Sequence, residues 1–297
     1  MSSEKIVDLR GKRALFFYRQ RPPVDKRVPL RERKRKLRLI ALTVLFLIFA
    51  VGAFGLHYVS YMGRFSVNSI EVKGAATIDP GVIRQYVDHV LNDGPRHYLS
   101  RSNIFLYPRS VIEKDIVIDF PRIKSATLSR PSFFSTTLIV TVQERTFFAL
   151  WCPDASKQGC YQMDDSGYIF AEAAVDNPAK YIFGGGLPSA PSTIGQVFAP
   201  SHLSEIIALL ERFTQTAYIP EGAIVENPRD FSVPLKDRFI IKASFDMDPD
   251  TLIKNLQLIL SNPPLRGNER NIAYIDLRFG DRVYYKMKGD TPVPQAQ

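Results

Sequence analysis

The stretch NIAYIDLRFGDRVYYKM, residues 271–287, sets Ile275, Leu277 and Phe279 in alternation with Asp276 and Arg278. Beyond Gly280-Asp281, Val283, Tyr285 and Met287 alternate with Arg282, Tyr284 and Lys286. Period two on both sides of a turn predicts a half-buried β-hairpin. Parity sends Ile275, Leu277, Val283 and Tyr285 to the core, with Phe279 on the same side. It sends Tyr274, Arg278, Tyr284, Lys286 and Lys288 outward. Ten polar residues follow, so the last strand is expected to lie uncovered. An uncovered sheet edge is a template for pairing unless it is blunted.

The chain of 297 residues has a net charge of +9, and the placement of that charge is informative. Of 39 Lys/Arg and 30 Asp/Glu, 14 and 4 fall in residues 1–38, which leaves 25 against 26 in the remainder. A nucleic-acid-binding body needs a basic face of its own, so nucleic acid is not an expected partner. Directly after the basic tail runs LIALTVLFLIFAVGAFGLHYVSYM, residues 39–62, free of Lys, Arg, Asp and Glu. About 20 apolar residues cross a hydrocarbon core. Tyr58 and Tyr61 suit one interface, and RERKRKLR at 31–38 suits the cytoplasmic one by the positive-inside rule. We expect a single-pass anchor in the cytoplasmic membrane, N-terminus inside, with the bulk of the chain outside. A secretory signal peptide has a shorter apolar run behind a shorter basic region, so an uncleaved anchor is the better fit. The tail 1–38, with Pro22, Pro23 and Pro29, is expected to be disordered. Its ALFFY patch at 14–18 either rests on an anionic membrane surface or belongs to a solvated tail whose charges only set topology.

Beyond the span, FSVNSIEVK at 65–73 reads as a strand. Asp79-Pro80 is a helix start, a capping carboxylate before proline at the first helical position. Val82, Ile83, Tyr86, Val87, Val90 and Leu91 then recur at helical spacing, and Asp93-Gly94-Pro95 stops the run. A second helix opens at Pro108 with Val111, Ile112 and Ile116 inward, and strands follow at 122–130 and 136–144. The order is β-α-α-β-β. The remainder reads mostly as strand: 147–151, 160–163, 168–173, 231–235, 238–244 and the final hairpin. Ser201 is placed to cap a helix burying Leu203, Ile206, Ile207 and Leu210. A further helix at 249–261 buries Leu252, Ile253, Leu256, Ile259 and Leu260. The fold class is α+β: a single transmembrane helix (39–62), a βααββ module (63–144), a mainly antiparallel β domain with flanking helices (145–288) and a disordered tail (289–297).

Chemistry-bearing patterns are scarce. His57, His89, His97 and His202 form no HExxH, and neither a GxSxG elbow nor a GxxxxGK loop is present. The D-x-D-x-D at 246–250 has Thr251 and Gln257 where a calcium loop needs Gly and Glu, so its carboxylates read as helix caps. Gly184-Gly185-Gly186 reads as a turn, and Asp164-Asp165 as a turn initiator rather than a catalytic pair. No enzyme activity, metal, cofactor or small-molecule substrate is expected. Cys152 and Cys160 are spaced as neither a redox nor a common zinc motif. Outside the cytoplasm a disulfide is permitted, and the pair reads either as a hairpin-stapling disulfide or as two free thiols.

Several local stretches, taken in order, resemble the FtsQ/DivIB family of bacterial cell-division proteins. FSVNSIEVKGAATIDPGVI resembles the opening of a POTRA domain. RIKSATLSRPSFFSTTLIVTVQERTFFALW resembles its closing hairpin and the run onward, although Arg130-Pro131 stands where the family often has Trp-Pro. MDDSGYIF, the later GLP and YIDLRFGDRVYYK resemble parts of the family's β domain. The resemblance implies a non-enzymatic divisome scaffold at the division septum that recruits FtsB/DivIC-like and FtsL-like division proteins. It implies a partner site on the last strands, at Arg278, Phe279, Tyr284, Tyr285 and Lys286. Surface parity adds Tyr274 to this stripe and, with Arg278, Lys286 and Lys288 as its cations, implies an acidic partner. The family match puts Phe279 outward where parity puts it inward; a bulge near Gly280 would reconcile the two. The rival to a partner site is an amphipathic strand whose lysines only solubilise the edge. A different functional class, a POTRA-type transport or chaperone module, remains the alternative.

The anchor makes a mass prediction: protein extracted from membranes retains its N-terminal residues. Loss of about 50–60 residues by intact mass spectrometry is the result that contradicts it.

Overall fold

A computed structural model describes residues 30–92, 94, 97–154, 158–174, 178–280 and 282–289. The expectations for residues 1–29 with the ALFFY patch, for the stop at Asp93 and Pro95, for the centre of the turn at 154–159, for Asp281 and for the last eight residues of the tail lie outside these. The chain divides into two compact units, with the boundary between Val59 and Ser60.

The first unit contains helix α1, Leu30–Ser60. It is long and apolar enough to cross a membrane. Two boundaries differ from expectation. The basic run 31–38 is helical rather than part of a disordered tail, because Lys, Arg and Leu are strong helix formers and extending a nucleated helix costs little. At the other end the helix stops at Ser60, so Tyr61 and Met62 lie beyond it, ahead of a short 3-10 turn at Gly63–Phe65.

The second unit opens with β1 (Ser69–Lys73), α2 (Pro80–Leu91), α3 (Arg109–Asp119), β2 (Ile123–Ser129) and β3 (Thr137–Glu144). The sheet order is β1-β3-β2, with β1 parallel and β2 antiparallel to β3. A parallel pair needs a crossover, and α2 and α3 lie in the connection between β1 and β2. The Asp79 carboxylate accepts from the Gly81 N–H at 2.8 Å and starts α2 with Pro80 behind it. Ile83, Val87 and Leu91 meet Ile112, Ile116, Leu128, Leu138 and Val140 in one core. Val82 and Val111, expected inward, are exposed; the buried stripe follows i, i+4, i+8 and is too narrow to include them. At the end of β3 the Glu144 carboxylate accepts from the N–H groups of Ala76, Thr77 and Ile78, which ties down the loop before α2. Burial alone would raise its pKa, but these bonds hold it below the usual value.

Among the described residues there follow β4 (Ala149–Cys152), β5 (Tyr161–Met163), β6 (Ile169–Glu172), β7 (Ile182–Gly185), α4 (Leu203–Phe213), β8 (Gly222–Val225), β9 (Asp230–Pro234), β10 (Ile240–Ser244), α5 (Pro249–Ser261), a short 3-10 turn (Glu269–Asn271), β11 (Ile272–Phe279) and β12 (Arg282–Met287). Their strands form one nine-stranded sheet, ordered β12-β11-β10-β9-β8-β7-β4-β5-β6. The sheet is mixed: β10–β11, β7–β8 and β4–β7 are parallel pairs and the other five are antiparallel. One face carries Trp151, Phe183, Ala223, Phe231, Val233, Ile241 and Ile275 and packs under the apolar sides of α4 and α5. The rows Gly184–Ile224–Ser232–Lys242–Asp276–Tyr284 define the other face.

Here too several local expectations change. Strands β7 and β8 were not anticipated, because Gly184-Gly185 reads as turn composition. Gly185 sits at φ +62 inside the sheet, where a Cβ would approach the Val225 carbonyl oxygen to 2.1 Å, so only glycine admits that neighbour. The N-cap of α4 is His202, not Ser201, and Leu209 joins the buried face. Asp248 caps α5 through the Thr251 N–H at 2.9 Å. Cys152 and Cys160 form a disulfide across the β4–β5 hairpin, packed beside Leu150.

A buried ion pair joins the two sheets of this unit. Arg145, just past β3, donates to Asp164 in the β5–β6 turn at 2.7 Å and to the Pro121 carbonyl at 3.0 Å, with its guanidinium 3.7 Å from the Tyr168 ring centroid. Both side chains are buried. Asp164 also accepts from the Ser166 N–H, the Ser166 hydroxyl and the Tyr168 N–H. Burial pushes its pKa up most strongly, but these donors together hold it below the usual carboxylate range. A depressed pKa contributes stability above the unfolded value, about 3.9, and that contribution is lost as pH falls through the folded value. Asp164→Asn is expected to lower unfolding stability at pH 7 by about 2–3 kcal/mol, read by urea denaturation. The gap to the parent protein narrows in acid.

Candidate functional site

Strand β12 is the edge of the nine-stranded sheet, paired on one side with β11. Its alternation places Val283, Tyr285 and Met287 on the helix-covered face and Tyr284 and Lys286 on the other. The β11–β12 register is interrupted twice. Ile272 pairs with Met287 and Tyr274 with Lys286; Asp276 pairs with Tyr284 and Phe279 with Arg282. In each interval β11 spends one residue more than β12, so each is a bulge.

The second bulge settles the position of Phe279. The extra residue between Asp276 and Phe279 inverts parity, so Phe279 pairs with Arg282 on the uncovered face. Its ring meets Tyr284 edge-on at 5.3 Å. Parity had put Phe279 inward; it is 55% exposed, and the reconciling bulge near Gly280 lies just before Phe279. Parity also put Tyr285 in the core, whereas the family resemblance put it at the partner site. By alternation it faces the covered side, but on this edge strand it stays 43% exposed; Tyr284 is 52% exposed. Tyr274 is half-buried, with the Lys242 ammonium 5.1 Å from its ring centroid, and Lys286 is half-buried beside it.

Arg278 differs most from expectation. It was counted among the outward cations of the stripe. Instead Nε and Nη2 donate to the two oxygens of Asp276 at 2.9 and 2.6 Å, and Nη1 reaches Asp230 at 3.2 Å. A fork-to-fork pair is a strong, directional contact. Asp276, on the face away from the helices, is only 6% exposed. Burial would raise its pKa, but the bonds and charge of Arg278, aided by Lys242, hold it low. The Arg278 guanidinium is correspondingly held more basic, first through its bond to Asp276. Arg278 thus braces β11 against β9, and its charge centre lies 5.6 Å from the Phe279 ring centroid. The residue types that signal a partner surface in sequence, Tyr and Arg, also signal this brace; only Asp230, 48 positions away, separates the two roles.

The uncovered face near the edge therefore presents Ile240, Tyr274, Phe279 and Tyr284, with Lys242, Lys286 and Lys288 around them. Ile240 pairs with Tyr274, and neither it nor Lys242 was singled out from sequence, because a period-two strand gives no sign of which neighbour will lie beside it. What such a surface can do is bind: it has aromatic area, cations and a row of main-chain groups. Among the described residues no group of three His, Cys, Asp or Glu side chains is placed to hold a metal ion.

Removing Arg278 leaves Asp276 buried without its partner. Arg278→Ala is expected to lower stability by about 2–4 kcal/mol. Tyr284→Ala, at an exposed position, should stay within about 0.5 kcal/mol of the parent. Thermal unfolding of the two variants checks the contrast.

Known protein families and curated proteins offer no guide here: no family model matches the chain, and no curated protein matches it.

Proposed function

We propose that this protein is a non-enzymatic scaffold of the bacterial divisome, of the FtsQ/DivIB type, in which β12 captures a partner chain by strand addition. The observation that carries the reading is the place of β12 at the sheet edge with Tyr284 and Lys286 directed to the uncovered face. An edge strand offers unpaired N–H and C=O groups, so an extended partner gains affinity from main-chain bonds and specificity from side-chain contacts. Aromatic residues are the usual centres of such interfaces. Lys242, Lys286 and Lys288 favour an acidic partner, and FtsB/DivIC-like and FtsL-like division proteins are the candidates that the sequence resemblance implies.

Two further features support this reading. The β1-α2-α3-β2-β3 chain order matches the β-α-α-β-β order that the sequence resemblance gave for the POTRA-like module. The single apolar helix fits an anchor that holds the two sheets on the extracytoplasmic side at the septum. The alternative, a POTRA-type transport or chaperone module, calls for several such modules and a closed barrel. Among the described residues there is one module, and the nine-stranded sheet is open, with β12 and β6 at its edges.

Tyr284→Ala combined with Lys286→Glu should weaken partner capture by about 2 kcal/mol or more, roughly 30-fold in affinity, with unchanged melting. Pulldown of FtsB/DivIC-like and FtsL-like chains from detergent extracts measures it. Capture equal to that of the parent removes β12 as the site. Filamentous cells on depletion favour the scaffold, whereas defective outer-membrane assembly favours the transport module.

A further inference from the structure

A second exposed surface lies far from β12 in sequence. Segments 61–68, 97–108 and 130–136 come together within the second unit. The Ile104 N–H donates to the Phe65 carbonyl at 2.7 Å, Val67 N–H to Ser102 at 2.8 Å and Asn68 N–H to Thr136 at 2.9 Å. The Tyr61 hydroxyl donates to the His97 carbonyl at 2.7 Å. Rings then follow one another: Phe65 to Phe105 at 6.2 Å, Phe105 to Phe133 at 5.1 Å and Phe133 to Phe134 at 5.1 Å. Arg130 lies 5.4 Å from the centroid of Phe105 and donates to the Phe133 carbonyl at 2.6 Å. Despite these contacts Phe133 is 67% and Phe134 71% exposed, and Tyr98, Phe105 and Leu106 are exposed with them. A contiguous apolar patch in water has a purpose more often than an isolated exposed side chain does.

Covalent reach and charge say what covers it. Met62 ends the apolar run and Phe65 follows three residues later. At no more than about 3.6 Å per residue, Phe65 lies within about 11 Å of the end of that run. Phe65 is main-chain bonded to the residue before Phe105, so the cluster shares its tether. The polar layer of a bilayer is on the order of 5–7 Å deep on each side, and side chains of interfacial elements reach about 5–10 Å into it. The three segments contain Arg64, Arg101 and Arg130 and no Asp or Glu. Aromatic rings beside arginines, without acids, match an anionic interface, where aromatic side chains and cations each gain free energy.

We propose that Phe105, Phe133 and Phe134, with Arg130, form a foot that seats in the anionic headgroup layer of the leaflet facing the second unit. The proposal rests on α1 being a membrane anchor. It requires neither partner capture at β12 nor a divisome role. The foot would limit how freely the second unit moves above the bilayer.

The test uses the full-length chain in vesicles of phosphatidylcholine and phosphatidylglycerol containing brominated acyl chains. The parent has one tryptophan, Trp151, which is buried. Phe134→Trp adds an emitter at the foot, and Leu258→Trp adds one at an exposed position of α5. Bromolipid is expected to quench Phe134→Trp about twofold more than the parent and Leu258→Trp no more than the parent. Adding Arg130→Glu, or omitting phosphatidylglycerol, should reduce the extra quenching. Quenching of Phe134→Trp no greater than the parent overturns the proposal. So does a photo-crosslinker at position 134 that joins the chain to another protein instead of lipid. Flotation after alkaline extraction separates the two readings. A chain that floats without quenching keeps its anchor and loses the foot. A chain that fails to float loses both.

Discussion

Asp164 is buried at the seam between two sheets, where an unpaired carboxylate would be costly. Its charge is kept because Arg145, Ser166 and Tyr168 supply donors from both sides of the seam. Arg145 follows β3 of the smaller sheet, and Asp164 sits in the β5–β6 turn of the larger one. The cores of the two sheets are otherwise separate clusters. The pair is directional, since the guanidinium also binds the Pro121 carbonyl and stacks over Tyr168. Lys124 with Asp165, and Arg122 over Phe170, add weaker contacts along the same seam. A polar seam of this kind specifies a geometry where an apolar one would mainly add stability.

The same logic recurs at the β12 edge. Arg278 links Asp276 on β11 to Asp230 on β9, skipping over β10. It therefore holds β11 in place from the interior of the sheet, and β12 is supported by β11. A partner strand adding to β12 would meet a braced template. Under the proposed strand addition Arg278 would have little charge to offer a partner, and the recognition charges would fall to Lys242, Lys286 and Lys288. The bulge beside Arg278 also turns Phe279 outward against Tyr284, which builds an aromatic pair that strict alternation would forbid.

Legibility varied with the range of the information. α2 was readable because Asp79-Pro80 is a local start signal and Ile83, Val87 and Leu91 repeat within a few turns. α5 was readable for the same reasons through Asp248 and Leu252, Leu256 and Leu260. The final hairpin was readable because alternation on both sides of Gly280 needs no distant partner. β7 and β8 were not, since their short runs hold glycines that signal turns, and only pairing with β4 and β9 makes them strands. Val82 and Val111 show the limit of helical spacing: it names an apolar side but not its width. Tyr285 shows the limit of strand alternation: a residue of an edge strand can face the covered side and still be exposed.

The amino-acid sequence alone determined the apolar helix, the neutral body behind a basic tail, the capped helices and the aromatic terminal hairpin, because each depends on residues within a few turns of one another. The tertiary structure decided the strand order that leaves β12 at the edge, the bulge that turns Phe279 outward and the conversion of Arg278 from surface cation to half-buried brace. It also brought Phe65, Phe105 and Phe133 together from three segments. These outcomes depend on pairings between residues tens of positions apart, and no local pattern encodes which strand will be the neighbour or which carboxylate will meet a given arginine.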